Sequence, residues 1–168
     1  MAIVTTASAG MNASGRSTIL QLRAPRSTAG AIEQEATALV ATSPVPVVIS
    51  SRCDLALATG AAGVNLPEND IPVAAARALM GEGIVGRSVH SLESALRAES
   101  EGADYVIFGP VWTSASHPAS APAGIAALAE VAQALRIPVL AIGGITEERI
   151  AECDAAGAAG FAAIGLFA

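Results

Sequence analysis

The sequence predicts an α/β fold, a TIM-type (β/α)8 barrel that is shortened and lacks or reduces its first and eighth helices. Three observations predict it. Eight short apolar runs recur along the 168 residues, and helical stretches rich in alanine separate the last seven of them. Several runs are apolar without alternation and rich in Val and Ile, as strands buried on both faces are. Eight strands with intervening helices point to a closed barrel over an open sheet. The length suits one domain spanning residues 1–168, because a second would need a core of its own.

The first strand is expected in "AIVTT" at 2–6. The segment that follows, "ASAGMNASGRS" at 7–17, is short and rich in Gly and Ser, and predicts no good helix. It is also near the minimum length for a parallel crossover. "TILQLR" at 18–23 is the second strand, 28–41 a helix, and "VPVVIS" at 45–50 the third strand. A helix over 53–60 leads to "GVNL" at 63–66, and one over 71–80 leads to "GIVGRS" at 83–88. Ser91 can cap the helix over 91–101, which stops at Gly102 before "YVIFG" at 105–109. A helix over 122–135 precedes "PVLAIGG" at 138–144. Thr146 can cap the helix over 146–156, with Glu147 and Glu148 in the favourable first turn, Gly157 at its stop, and "GFAAIG" at 160–165 beyond.

With no first helix and no residues after Ala168 for an eighth, one side of the barrel would show apolar strand surface. A second copy packed there about a two-fold axis is the expected cover.

Composition bounds the function. The net charge of −6 and the few aromatics exclude a basic, stacking nucleic-acid surface. No apolar stretch reaches the roughly eighteen residues of a membrane helix, and no leader is seen, so a soluble cytoplasmic protein is expected. All nine cations are arginine, so Schiff-base chemistry on a lysine is excluded. Cys53 and Cys153 lie far apart and are expected as buried free thiols.

In a barrel of this kind the chemistry sits where strands run into helices at their C-terminal ends. That rule selects Gln21 and Arg23, Ser50 and Arg52, Asn65 to Asp70, Ser88 and His90, the loop at 110–120, and the glycines after the last two strands. Gly143 and Gly144 in "AIGGI" can bring backbone N–H groups close to an anion, and Ile164 with Gly165 can complete a phosphate cup. The same glycines would also serve a tight turn with no ligand. Ser114 and Ser116 offer hydroxyl donors, and His117 is a candidate acid or base. Asp70 can hold Mg²⁺ beside substrate phosphates, or cap the helix that follows.

"ILQLR", "ISSRCDLALATGAAGVNLPENDIP", "GRSVHSLESALRAESEGADYVIFGPV" and "VLAIGGI" together resemble thiamine phosphate synthase and its relative TenI, the thiazole tautomerase, from about residue 18 to 165. The resemblance implies a β/α barrel in thiamine biosynthesis that takes a small phosphorylated heterocycle. The synthase joins hydroxymethylpyrimidine diphosphate to a thiazole phosphate with Mg²⁺ and releases pyrophosphate. It implies pyrimidine diphosphate contacts for Gln21 and Arg23, a diphosphate contact for Ser88, and a thiazole phosphate cradle of Gly143, Gly144 and Gly165.

The departures bear on the reaction. Pro25 stands where the family has lysine, and Ser50-Ser51 replaces an Asn-Asp pair, which leaves Asp70 as the only carboxylate for Mg²⁺. Ser114-Ala115-Ser116-His117 replaces a Thr-x-Thr-Lys segment. A pyrophosphate leaving group needs that charge, because electrostatic stabilisation dominates such a step. The tautomerase histidine of "FGH" is Pro110 here, so His117 or His90 would have to replace it, with Ser88 beside the substrate. A TenI-like binder of thiazole phosphate, an Mg²⁺-dependent synthase and a non-catalytic phosphate binder are the three expectations.

Overall fold

The computed structural model describes residues 1–113 and 121–167. The eight apolar runs become eight parallel strands: β1 Ala2–Val4, β2 Leu20–Leu22, β3 Val47–Ser50, β4 Gly63–Leu66, β5 Ile84–Val89, β6 Tyr105–Phe108, β7 Val139–Ile142 and β8 Gly160–Ala162. Each pairs with the next in order. A parallel bridge between Ala2 and Ala163 closes the ring, with the Ile3 N–H donating to the Ala163 carbonyl at 2.9 Å.

Alternation along the strands builds two cores from one set of residues. Leu20, Leu22, Ile49, Val64, Val85, Val106 and Phe108 point outward and are buried under the helices. Ile3, Val48, Tyr105, Ile107 and Ala162 point inward and fill the barrel. The inner space is tight: a Cβ on Gly86 would lie 2.1 Å from the Tyr105 ring, so the bare strand at Gly86 is what lets the phenol in. Burial, with the charge of Asp104 adding to it, holds that phenol well above the usual tyrosine range.

The helices are α1 Ala7–Ser14, α2 Ala29–Thr42, α3 Cys53–Thr59, α4 Val73–Met80, α5 Leu92–Ser100, α6 Gly124–Ala134 and α7 Glu147–Ala155. Ser91 caps α5 as expected, in a reciprocal arrangement with Ser94. Thr146 precedes α7, but its hydroxyl donates to the Glu148 carboxylate at 2.8 Å and bonds no backbone N–H.

The segment 7–17 corrects the expectation of no good helix there. Residues 7–14 form α1, because its orphan N–H groups find two acceptors. The Thr6 hydroxyl takes Ala9 at 3.2 Å, and the Glu35 carboxylate, from α2, takes Ala7 at 2.6 Å. Gly10, which counted against a helix, lets α1 approach α2: a Cβ there would meet Leu39 Cδ1 at 2.5 Å. Tertiary contact overrides a weak propensity. With α1 in place Ala2 and Val4 are buried, so the side expected to be bare carries a helix. After β8 the chain makes a 3₁₀ turn, Gly165–Phe167, and Phe167 stacks on Phe161 at a centroid distance of 5.9 Å.

Cys53 and Cys153 are buried free thiols, and burial pushes both thiols up. Among the described residues, no helix is long and apolar enough to cross a membrane.

Candidate active site

A cavity of about 730 Å³ opens at the C-terminal ends of the strands. Its position follows from strand direction: parallel strands end together, and the loops that leave them form one rim. Gln21, Arg23, Ser50, Asn65 and Ser88 line one side, and Gly143, Gly144, Ile164 and Gly165 line the other.

The polar floor is built by neighbouring strands. Gln21 Nε2 donates to Ser50 Oγ at 3.3 Å, and Asn65 Nδ2 donates to Ser88 Oγ at 3.1 Å. Both amides are only 2% exposed, and their oxygens, Gln21 Oε1 and Asn65 Oδ1, have no partner among the described residues. A buried amide oxygen without a donor costs on the order of 1–3 kcal/mol. The floor is therefore ready to accept N–H or O–H groups from a ligand or water.

Gly143 and Gly144 have φ of 95° and 65°, values that side chains rarely adopt. A Cβ on Gly143 would lie 2.6 Å from Pro110 Cβ, and one on Gly144 would lie 2.7 Å from the Thr113 carbonyl oxygen. Turn geometry and the close passage of residues 110–113 thus require glycine at both positions with or without an anion.

Arg52 and Asp70 fall outside the cavity wall. Arg52 forms a two-pronged pair with Asp54, at 2.8 and 2.6 Å, which holds the Asp54 carboxyl down at about 2. Asp70 does not cap α4, whose N-cap position is Pro72. Its Oδ1 accepts the Ile71 N–H at 2.7 Å, and its Oδ2 accepts the Ser51 hydroxyl. Ser51 has a φ of 68°, which turns its side chain onto Asp70. Both carboxylate oxygens are engaged, and among the described residues no three His, Cys, Asp or Glu side chains converge. Mg²⁺ held here would rest on Asp70 and would need its other ligands from substrate phosphates and water.

Ser114, Ser116 and His117 lie outside the described residues. Among the described residues nearby, the Ala123 N–H donates to the Pro110 carbonyl at 2.8 Å and the Gly124 N–H to the Val111 carbonyl at 3.1 Å.

Sequence reasoning passed over one charged wall residue, Arg149, and gave no role to another, Glu68, which fell inside the selected range 65–70. Glu68 Oε1 accepts the backbone N–H of His90 at 3.1 Å, and its Oε2 lies 3.8 Å from His90 Nε2. The other ring nitrogen, Nδ1, contacts the Gly109 carbonyl. A carbonyl only accepts, so Nδ1 carries the proton and Nε2 is left for the carboxylate side and the cavity. Arg149 sits in the first turn of α7, the positive end of the helix dipole, where a cation is unfavourable. That misplacement was the available signal in the sequence.

The model of one family, thiamine monophosphate synthase (TMP-TENI), matches residues 3–167. The chain belongs to the thiamine monophosphate synthase family. It is 44% identical over 149 residues to the thiamine-phosphate synthase of Anaeromyxobacter dehalogenans, covering 86% of this chain and 67% of that relative. With the thiamine-phosphate synthase of Chloroflexus aurantiacus it shares 38% over 154 residues, 89% of this chain and 71% of the relative. The solved thiamine phosphate pyrophosphorylase of Pyrococcus furiosus superposes with a TM-score of 0.86 at 29% identity, over 97% of this chain and 84% of that one. FabK of Thermotoga maritima, at a TM-score of 0.81 and 18% identity, shares the fold alone. Membership in this family places the chain in thiamine biosynthesis.

Proposed function

We propose that this chain binds a thiazole phosphate at the C-terminal face of the barrel and acts like TenI, moving a proton on the bound heterocycle, and not as a full synthase. The Ser51–Asp70 contact carries this reading. It engages Asp70, the one carboxylate left of the two that the family resemblance calls for, in a chain that has no lysine to balance a departing pyrophosphate. A proton shift needs neither: an imidazole in reach of the ligand suffices. His90 meets that requirement in the cavity wall, and His117 is the second candidate. Ser88, whose oxygen already accepts from Asn65, has its own proton to offer a ligand atom.

A specific observation favours the synthase as second reading. The unpartnered oxygens of Gln21 and Asn65 suit a ligand with N–H donors, as an aminopyrimidine has. Calorimetric titration separates the readings. Thiazole carboxylate phosphate should bind without metal, and His90→Asn should abolish exchange of the ligand proton while leaving its affinity within about threefold, a change under 1 kcal/mol. Tight binding of hydroxymethylpyrimidine diphosphate that depends on Mg²⁺, with pyrophosphate released on adding thiazole phosphate, would replace this reading by the synthase. Binding of the thiazole phosphate with no proton exchange in the wild type would leave a non-catalytic binder.

A further inference from the structure

We propose that Arg149 is the cation that recognises the ligand's phosphate, held in wait against the face of Trp112. The inference rests on the reading that a phosphorylated heterocycle occupies this cavity. It deepens that reading by naming the residue that selects the phosphate over an uncharged group.

Arg149 lines the cavity with Gly143, Gly144, Thr113 and Gly165. Its guanidinium carbon lies 4.9 Å from the centroid of the Trp112 ring, and Nη1 donates to the Gly144 carbonyl at 2.7 Å. One bond and one aromatic face engage a group with five N–H donors. Arg52, Arg77 and Arg97 pair with Asp54, Asp104 and Glu93. Among the described residues neither arginine of the cavity wall, Arg23 or Arg149, has a carboxylate partner, and Arg149 is the one bonded to the glycine turn. It also stands at the positive end of α7, where its charge is opposed by the helix and is relieved by an arriving anion.

The glycines alone do not establish an anion site, since the packing of residues 110–113 already requires them. The guanidinium supplies what they lack. It is anchored beside Gly144, half-buried, and planar enough to take two phosphate oxygens. The bond to the Gly144 carbonyl also ties the guanidinium to the turn that would receive the phosphate.

Trp112 is the only tryptophan, so its fluorescence reports on the guanidinium that covers it. The test uses the full chain, with calorimetry and tryptophan emission read together. Three probes are used: the thiazole phosphate, the same thiazole with a free hydroxyl, and inorganic pyrophosphate. In Arg149→Gln the two anionic probes should bind about 10- to 100-fold more weakly, the range of a charge-assisted bond. The uncharged thiazole should be unaffected. Arg149→Lys, which keeps the charge without the fork, should recover part of the loss. Phosphate binding should change Trp112 emission in the wild type and not in Arg149→Gln.

Equal weakening of the charged and uncharged thiazoles would make Arg149 a packing residue and overturn the inference, as would unchanged phosphate affinity. If Arg149→Gln does not fold, as judged by circular dichroism, Arg149→Met, which keeps the aliphatic stem without the charge, decides, and wild-type selectivity in it overturns the inference. Pyrophosphate binding that depends on Arg149, with no thiazole bound, would keep the inference and reject the thiazole reading. A folded wild type that binds none of the three probes rejects both.

Discussion

Replacing Tyr105 by phenylalanine should stabilise this protein by about 1–2 kcal/mol, against the usual direction of a core substitution. The ring is 5% exposed inside the barrel, seated over Gly86, and its hydroxyl has no hydrogen-bond partner among the described residues. Removing the oxygen leaves the ring contacts in place and ends the cost of an unmade bond, which runs to about 1–3 kcal/mol. Part of that gain is lost with the contacts of the oxygen itself. Urea unfolding at neutral pH, followed by circular dichroism, measures the difference.

The same residue gives a pH signature. Burial, with the charge of Asp104 adding to it, raises the phenol's pKa in the folded state, so the folded protein holds this proton more tightly than the unfolded chain. That contribution is complete below the unfolded value of about 10 and is lost as pH rises towards the folded value, at up to about 1.4 kcal/mol per pH unit. The advantage of the phenylalanine variant should therefore widen above about pH 10. Tyr105 is the only tyrosine, so the phenolate band should stay absent in the native protein until it unfolds. Destabilisation by 1 kcal/mol or more, or a native phenolate titrating near 10, would refute the reasoning, since either needs a satisfied or solvated hydroxyl.

Other substitutions test the rim of the barrel. Ser51→Asp restores a second carboxylate at a left-handed position that Asp tolerates. It should lower stability by about 1–2 kcal/mol without metal, through the lost hydroxyl bond to Asp70 and like-charge repulsion. Mg²⁺ should return that stability in thermal melts and strengthen pyrophosphate binding by about tenfold, the scale of one charge-assisted contact. Arg52→Ala removes an exposed pair and should change stability by less than about 1 kcal/mol. By NMR the Asp54 carboxyl should then move from about 2 towards the ordinary aspartate range, because the Arg52 hydrogen bond is the main cause of its depression. The two-fold partner expected over the helix-poor side of the barrel predicts sedimentation at twice 16.6 kDa, and a species of 16.6 kDa would reject it.

Several parts of this molecule were legible in the chain. The apolar runs at 45–50, 63–66 and 105–109 became β3, β4 and β6 within two residues of the expected ends, because continuous Val and Ile between polar breaks leaves few alternatives to a buried strand. The wall positions Gln21, Asn65, Ser88, Gly143, Gly144 and Gly165 followed from strand direction alone. Residues 7–17 were misjudged because helix α1 depends on Glu35 and on the fit of Gly10 against Leu39, partners that composition does not reveal. Arg52 and Arg23 stand at equivalent strand ends, yet Arg52 is drawn away by Asp54, a choice made by side-chain geometry two residues further on.

By itself the sequence determined the barrel, its strand order and the end at which the cavity opens. Those rest on hydrophobic periodicity and on the single direction of parallel strands, and both are properties of local pattern. Only the tertiary structure decided what that end contains. It turned Ser51 onto Asp70, set His90 between Glu68 and the Gly109 carbonyl, left two amide oxygens waiting in the floor, and laid Arg149 across Trp112. Each of those contacts joins residues brought together by closing the ring or by a loop's backbone conformation. Their energies depend on distances of a few ångströms that periodicity does not encode.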